Sequence, residues 1–420
     1  MVDNNLPPNW SWVKLGDIGE VVAGGTPSTK VQKYFNGDIA WITPADLTGY
    51  KNKYISRGKR NITKEGLKNS SARLVPEGSI LFSSRAPIGY VVIASNHIST
   101  NQGFKNLIPN KKVDSEFVYY YLKSAKQLAE EKASGTTFKE ISAKNFAKLP
   151  FPLPPLPEQK KIVEKIEELF SDLENGIASL KKAKEQIKLY RQSVLSSAFN
   201  GKLTSGHPEL VSGSNGLPKG WKWVKLDEVI DSMQYGTSDK AVGSSDGIPV
   251  LRMGNIQDGK LDYSKLKYFE KSYEDLKKYL LDDGDLLFNR TNSAELVGKT
   301  ALYKKRHPKS IFASYLIRVK VNKSIYSSEF LNYYINSSYG RDFIKSVVSQ
   351  NVGQANVNGT KLKSMSVPLI PLNLQTQIVE EIESRFSEAY NLEKAVDESL
   401  TKAEALRQSI LKQAFEGKLI

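Results

Sequence analysis

Cysteine is absent from the 420 residues. That excludes a disulfide scaffold, a thiolate zinc site, an iron–sulfur cluster and a cysteine nucleophile. Histidine is almost absent: His97, His207 and His307 stand far apart, so no multi-histidine metal site is expected. No run of about 18 apolar residues occurs. The opening Met1-Val2-Asp3-Asn4-Asn5-Leu6-Pro7-Pro8 is polar, without the apolar stretch of a signal peptide. A cytoplasmic location is the expectation. Catalytic motifs are missing too. There is no GxxxxGK[ST] phosphate loop, and Gly24-Gly25-Thr26-Pro27 reads as a turn. Neither an Asn/Asp-Pro-Pro-aromatic tetrapeptide nor a nucleophile–base constellation stands out. A nuclease built from scattered Asp, Glu and Lys stays open on sequence alone, with nothing to support it.

What is present is basic. Lys and Arg number 60 against 45 Asp and Glu, for a net charge of +15 and a pI near 9.4. Such an imbalance favours a polyanionic partner, most often nucleic acid. The plainer alternative is a basic protein without one.

The chain is also written twice. Leu6-Pro7-Pro8-Asn9-Trp10-Ser11-Trp12-Val13-Lys14-Leu15 returns as Leu217-Pro218-Lys219-Gly220-Trp221-Lys222-Trp223-Val224-Lys225-Leu226, an offset of 211. Both copies reach a Gly-Thr pair at that offset, Gly25-Thr26 and Gly236-Thr237. The middles diverge, apart from Gly78-Ser79-Ile80-Leu81-Phe82 against Gly284-Asp285-Leu286-Leu287-Phe288 and the aromatic groups Phe117…Tyr120-Tyr121 and Phe330…Tyr333-Tyr334. The ends agree best. Residues 158–203 align with 374–419 without a gap, 18 of 46 positions being identical. Both copies close on Arg-Gln-Ser and then Ala-Phe-x-Gly-Lys-Leu.

Within each copy, short apolar runs alternate with turn signals, as at Val21-Val22-Ala23, Ile39-Ala40-Trp41-Ile42, Ile80-Leu81-Phe82 and Val91-Val92-Ile93-Ala94. These predict strands, with helices near 116–130, and so an α+β domain. Pro150-Phe151-Pro152-Leu153-Pro154-Pro155-Leu156-Pro157 predicts a stiff extended connector, with Pro157 in the first turn of a helix; an SH3-type ligand is the other reading of these prolines. From 158 to about 199, Ile166, Leu173, Leu180, Ile187 and Val194 recur every seven residues. Ile162, Leu169, Ala183 and Tyr190 take the alternate seam positions. The second copy places Ile382, Ala389, Val396, Ala403 and Ile410 likewise. This is a coiled-coil pattern of about 42 residues, some 63 Å long. Its economical partner is the other copy; packing of each helix on its own domain is the alternative.

The expected organisation is therefore a first domain over 1–149, a connector and helix over 150–204, a linker over 205–216, a second domain over 217–366, and a second connector and helix over 367–420. Charge follows this division. Residues 1–150 carry +9 and 205–366 carry +7, whereas 151–204 carry +2 and 367–420 carry −3. A polyanion is expected on the two divergent domains.

The candidate contacts are basic clusters. Lys51, Lys53, Arg57, Lys59 and Arg60 interleave with Tyr50 and Tyr54; Lys30 and Lys33 precede Tyr34-Phe35; Lys304, Lys305 and Arg306 flank His307. Phosphate contact is the functional reading and a solvated surface the bland one. Arg85 and Arg290, with Asn289 and Asn292 beside the latter and Arg252 upstream, are candidate base readers. Arg and Asn suit bidentate contact with guanine and adenine edges. A structural arginine closing a strand end is the competing reading.

Taken together, the two-fold repeat, the Leu-Pro-x-x-Trp-x-Trp-Val-Lys-Leu openings, Pro-Leu-Pro-Pro-Leu-Pro-Glu-Gln-Lys-Lys-Ile-Val (152–163) and the shared helix ends resemble the specificity subunits of type I restriction–modification enzymes, over essentially the whole chain. The resemblance implies two target recognition domains separated by two long antiparallel helices, with pseudo-two-fold symmetry and no catalytic residues. It also implies partners: double-stranded DNA, two modification subunits that bind S-adenosylmethionine and methylate adenine N6, and restriction subunits that use ATP and Mg to translocate and cut. No motif of the family carries base-reading residues onto this chain. A stand-alone tandem DNA-binding regulator and a self-sufficient DNA-modifying enzyme are the rival functions.

Overall fold

The computed structural model describes residues 6–135, 139–203, 221–239, 241, 247–269, 276–293, 296–351 and 354–420. The expected linker, 205–216, lies outside them. Two compact units emerge, and neither is a continuous stretch of one repeat. The first is Met1–Leu180 with Asp397–Ile420, the second Lys181–Val396.

The first unit holds a five-stranded sheet in the order Gly19–Ala23, Phe104–Pro109, Ile80–Ser84, Ile88–Ala94, Tyr54–Ile55. A second sheet orders Arg60–Ile62, Phe35–Ile42, Ile98–Thr100, Leu74–Val75. The apolar runs singled out in the sequence are these strands. The expected helical region resolves into Ser115–Ser124 and Lys126–Glu131. Asp114 caps the first, its carboxylate accepting from the Glu116 and Phe117 amides. That helix buries Phe117, Val118, Tyr121 and Leu122 against Ile80, Phe82 and Ile93.

The second unit repeats the main sheet with fewer strands: Ile230–Tyr235, Leu316–Val321, Leu286–Asn289, Thr300–Leu302. Ser328–Asn336 is the matching helix, capped by Ser327.

The proline segments need a correction. Pro150–Leu153 is not a free connector but a strand, antiparallel to Ser11–Lys14 with Trp12 opposite Pro152. Ser366–Leu369 pairs with Lys222–Lys225 in the same way, Trp223 opposite Pro368. The two-stranded ribbons leave room for proline because each strand has one unpaired edge. The opening and proline motifs are thus the two halves of one ribbon.

Each ribbon leads into a helix of 44 residues, Leu156–Phe199 and Leu372–Phe415. Pro157 lies in the first turn, as expected. At the far ends, Gly201 and Gly417 adopt φ of +74° and +68°. Lys202 N–H donates to Ser197 O and Lys418 N–H to Gln413 O, both at 2.9 Å, so each helix closes through a left-handed glycine. That is why the Phe-x-Gly ends recur.

The seam holds within each unit, and the helices there run antiparallel. In the first, Ile162, Ile166 and Phe170 pack with Ile410, Leu411, Ala414 and Phe415, and Arg407 pairs with Glu174 at 3.0 Å. In the second, Val194, Leu195, Ala198 and Phe199 pack with Ile378, Val379 and Ile382, and Arg191 pairs with Glu393 at 2.7 Å. Leu173, Leu180, Ile187 and Val396 are only half-buried, because two helices alone cover one side of each knob. Tyr190 does not join the seam; it is exposed.

A candidate DNA-reading surface at the sheet ends

The frame of each unit is built by the same bonds. Gln159 is fully buried. Its Oε1 accepts from Asp114 N–H at 2.8 Å and its Nε2 donates to Lys112 O at 3.1 Å and Pro154 O at 2.9 Å. Gln375 does the same with Ser327 N–H, Ile325 O and Ile370 O at 2.7, 3.0 and 2.9 Å. Tyr121 donates its hydroxyl to Pro150 O and Tyr334 to Ser366 O; burial pushes both phenols well up. A buried amide with both its N–H groups and its oxygen bonded fixes where helix, ribbon and loop meet.

On this frame the variable side chains gather at one end of the main sheet. In the second unit Tyr235 ends its strand opposite Ile317, Asn289 ends its own opposite Leu316, and Ser314 and Tyr315 lead into the strand between. Arg290 follows Asn289. Its guanidinium lies 4.9 Å from the centre of the Tyr235 ring and donates from Nη1 to Ser314 O at 3.3 Å. Its Nε is buried with no partner among the described residues. Tyr235 and Tyr315 are both exposed. In the first unit the same end carries Ala23, Ser84, Arg85 and Gln102. There Nζ of the buried Lys105 donates to Ser84 Oγ at 3.1 Å and pairs with Glu140 at 2.9 Å, and Arg85 reaches Glu140 at 3.4 Å.

Arg85 and Arg290 do not match in register. Ser83 and Asn289 face Phe104 and Leu316 in their ladders. Ser84 N–H then donates to Gly103 O, and Arg290 N–H to Tyr315 O. So Ser84 corresponds to Arg290, and Arg85 to Thr291. A slip of one residue along a strand turns the side chain to the other face, which is why Arg85 meets a carboxylate and Arg290 a ring. The Gly-Thr correspondence slips as well. A bulge between Ile230 and Ser232 adds one residue, so Tyr235 takes the place of Ala23.

The basic clusters divide by what holds them. Lys30, Lys51, Arg57 and Lys59 are exposed, with no ion pair among the described residues. Arg60 stacks on Phe35 at 4.4 Å. Lys33 is exposed but paired with Glu65 at 2.6 Å, which raises its pKa. Lys53 is not a free contact. It pairs with Glu116 at 2.7 Å and with Glu167 of the long helix, under the rings of Tyr54 and Tyr120. Burial pulls its ammonium down, but the two carboxylates outweigh that and leave it above the ordinary lysine value. Lys53 fastens its loop to the helix. Asn289 is likewise withdrawn: it is 1% exposed and its amide donates to Leu296 O at 3.3 Å. Asn292 is half-buried and accepts from Ser293 N–H. Arg252 is half-buried, and its Nε has no partner among the described residues.

Lys304 pairs with Glu329. Lys305 and Arg306 are exposed. Burial, and then the charges of Arg306 and Lys304, lower the pKa of His307, whose Nδ1 accepts from Lys304 N–H at 3.1 Å. The residues that sequence reasoning missed are Tyr235, Tyr315, Lys105, Glu140 and Asn356; no spacing in the sequence joins any of them to a strand end.

Among the described residues no cluster of His, Asp and Glu could hold a metal ion, and no helix is long and apolar enough to cross a membrane. Residues 7–185 and 218–402 each match the family described as the type I restriction modification DNA specificity domain. The chain belongs to that family. It is 33% identical over 348 residues to the specificity subunit of the type I restriction enzyme MjaIX of Methanocaldococcus jannaschii, covering 77% of this chain and 79% of the relative. It is 30% identical over 434 residues to the EcoKI specificity subunit of Escherichia coli K12, covering 100% and 91%. Among solved structures, the fold is similar to a chain from a study of complex assembly and conformational transition of the type I R-M system (TM-score 0.72, 21% identity, 98% and 99% covered). It is also similar to the HsdS subunit of Thermoanaerobacter tengcongensis (TM-score 0.61, 20% identity, 99% of both chains covered). The two matched segments coincide with the two repeats of this chain, and the sheet ends described above lie within them.

Proposed function

We propose that this chain is the DNA-reading, non-catalytic subunit of a type I restriction–modification enzyme, that each unit reads one half of a two-part asymmetric site, and that the sheet ends are the reading surfaces. The observation that carries this is the contrast within the chain. Gln159 and Gln375 make the same three bonds, whereas the sheet ends differ residue by residue. One scaffold presented twice with different polar side chains suits a site whose halves differ. The positive charge of the divergent domains supports the same reading, through contacts to phosphate.

In this reading Lys30, Lys51, Arg57, Lys59, Lys305 and Arg306 meet phosphates, and Arg85, Arg290 and Asn292 meet bases. Lys53 and Asn289 drop out, one neutralised and the other buried. The partners are two modification subunits, which bring S-adenosylmethionine and methylate one adenine per strand, and restriction subunits, which bring ATP and Mg. A methyltransferase must extrude its base from the stack, and this chain holds the duplex meanwhile. The test is a methylation map of cells carrying the modification subunits with and without this chain, beside an assay of the purified chain alone with labelled S-adenosylmethionine and DNA. A two-part motif that vanishes without the chain is expected. Methyl transfer by the chain alone would overturn the reading in favour of a self-sufficient enzyme, and failure to co-purify with a modification subunit would favour a stand-alone regulator.

A further inference from the structure

One ladder position differs between the units in a way that bears on sequence choice. In the first unit Arg85 bridges antiparallel to Glu140; in the second Thr291 faces Asn356. The bonds beside them are the same: Ile141 N–H donates to Ser84 O at 3.1 Å, and Val357 N–H to Arg290 O at 2.9 Å. The two pairs are therefore one structural position. Each pair is joined across the ladder by side chains, Arg85 Nη1 to Glu140 Oε2 at 3.4 Å and Asn356 Nδ2 to Thr291 Oγ1 at 2.8 Å. All four residues are half-buried, held by a neighbour yet open to solvent. The Asn356 amide makes no other bond among the described residues, so its Oδ1 and one N–H remain available.

We propose that this cross-strand pair determines specificity in each half-site, Arg85–Glu140 in the first and Thr291–Asn356 in the second. The inference rests on the DNA-reading function. The chemistry of the pairs is unlike. An arginine beside a glutamate offers donors to guanine O6 and N7 and an acceptor to cytosine N4, so the first pair suits a G·C step. A carboxamide offers one donor and one acceptor, which suits adenine N6 and N7. Lys105, buried beneath Glu140, holds that carboxylate in place through their 2.9 Å pair.

The experiment is a methylation map of cells carrying the modification subunits with the wild-type chain, Glu140→Gln, Asn356→Ala or Asn356→Asp. Glu140→Gln is expected to raise methylation at sites with one wrong base in the first half by about 5- to 150-fold, the range of one bidentate contact, and to leave the second half alone. Asn356→Ala does the converse. Asn356→Asp, an acceptor without a donor, shifts the preferred base at one position of the second half, an effect that a merely weakened fold does not produce. A wild-type map that both Asn356 variants leave intact overturns this inference alone. So does equal loosening of both halves. Absence of any two-part methylated motif in cells with the wild-type chain would instead overturn the DNA-reading function itself.

Discussion

Phe117 and Phe415 pack edge to face with ring centres 5.2 Å apart, although one lies in the first repeat and the other near the end of the chain. Phe415 also meets Tyr121. In the second unit Phe199, from the helix of the first repeat, packs against Phe330 at 5.2 Å and Tyr334 at 5.1 Å. Each reading domain is thus closed by the end of the other repeat's helix.

Removing either ring leaves a cavity, at about 3–5 kcal/mol for Phe→Ala. Phe415→Ala is expected to unfold the first unit early and Phe199→Ala the second. Limited proteolysis on heating checks this: the first variant should be cut within 6–180 and the second within 221–396. Cleavage of the same unit in both variants would contradict the exchanged closure.

The frames differ at the tryptophan that opens each ribbon. Trp10 Nε1–H donates to Glu158 at 2.7 Å, whereas Trp221 Nε1, in the equivalent place, is buried with no partner among the described residues. Leu374 stands where Glu158 stands. Glu158→Leu strands the Trp10 donor and should cost about 1–3 kcal/mol in denaturant unfolding. Leu374→Glu offers Trp221 a partner and should cost less, or stabilise.

Binding to DNA should fall by about 10³–10⁵ between 50 and 200 mM salt for 6–10 phosphate contacts. Lys51→Ala, Arg57→Ala and Lys59→Ala should each reduce the salt slope by about one, without changing the preferred sequence. Lys53→Ala should instead lower thermal stability, because it leaves Glu116 and Glu167 without their cation. Fluorescence anisotropy across a salt series, beside melting curves, separates the two outcomes.

The first long helix is continuous through Ala183. Four residues inserted there add about 6 Å and about 40° of rotation. Two base pairs of B-DNA advance by nearly the same length and twist by roughly 70°. The unspecified spacer should therefore lengthen by one or two base pairs while the bases read on either side stay the same. An unchanged spacer in the methylation map of this variant would mean that the helices do not set the distance.

The repeat, the helix motifs, the heptad seam and the placement of charge were legible in the sequence because each rests on local periodicity or on residues that recur at a fixed offset. The proline segments read as connectors, and only pairing with the distant Ser11–Lys14 and Lys222–Lys225 made them strands. The reading surface was not. Arg85 and Arg290 align by eye, yet a ladder decides that Arg85 matches Thr291, since strand register depends on which hydrogen bonds close between distant segments. The bulge after Ile230 moves Tyr235 into the place of Ala23 for the same reason. Lys53 and Asn289 read as contacts because their types suit DNA. Only the packing of Glu116, Glu167 and Leu296 around them decided otherwise, and burial of a side chain is a property of its neighbours in space.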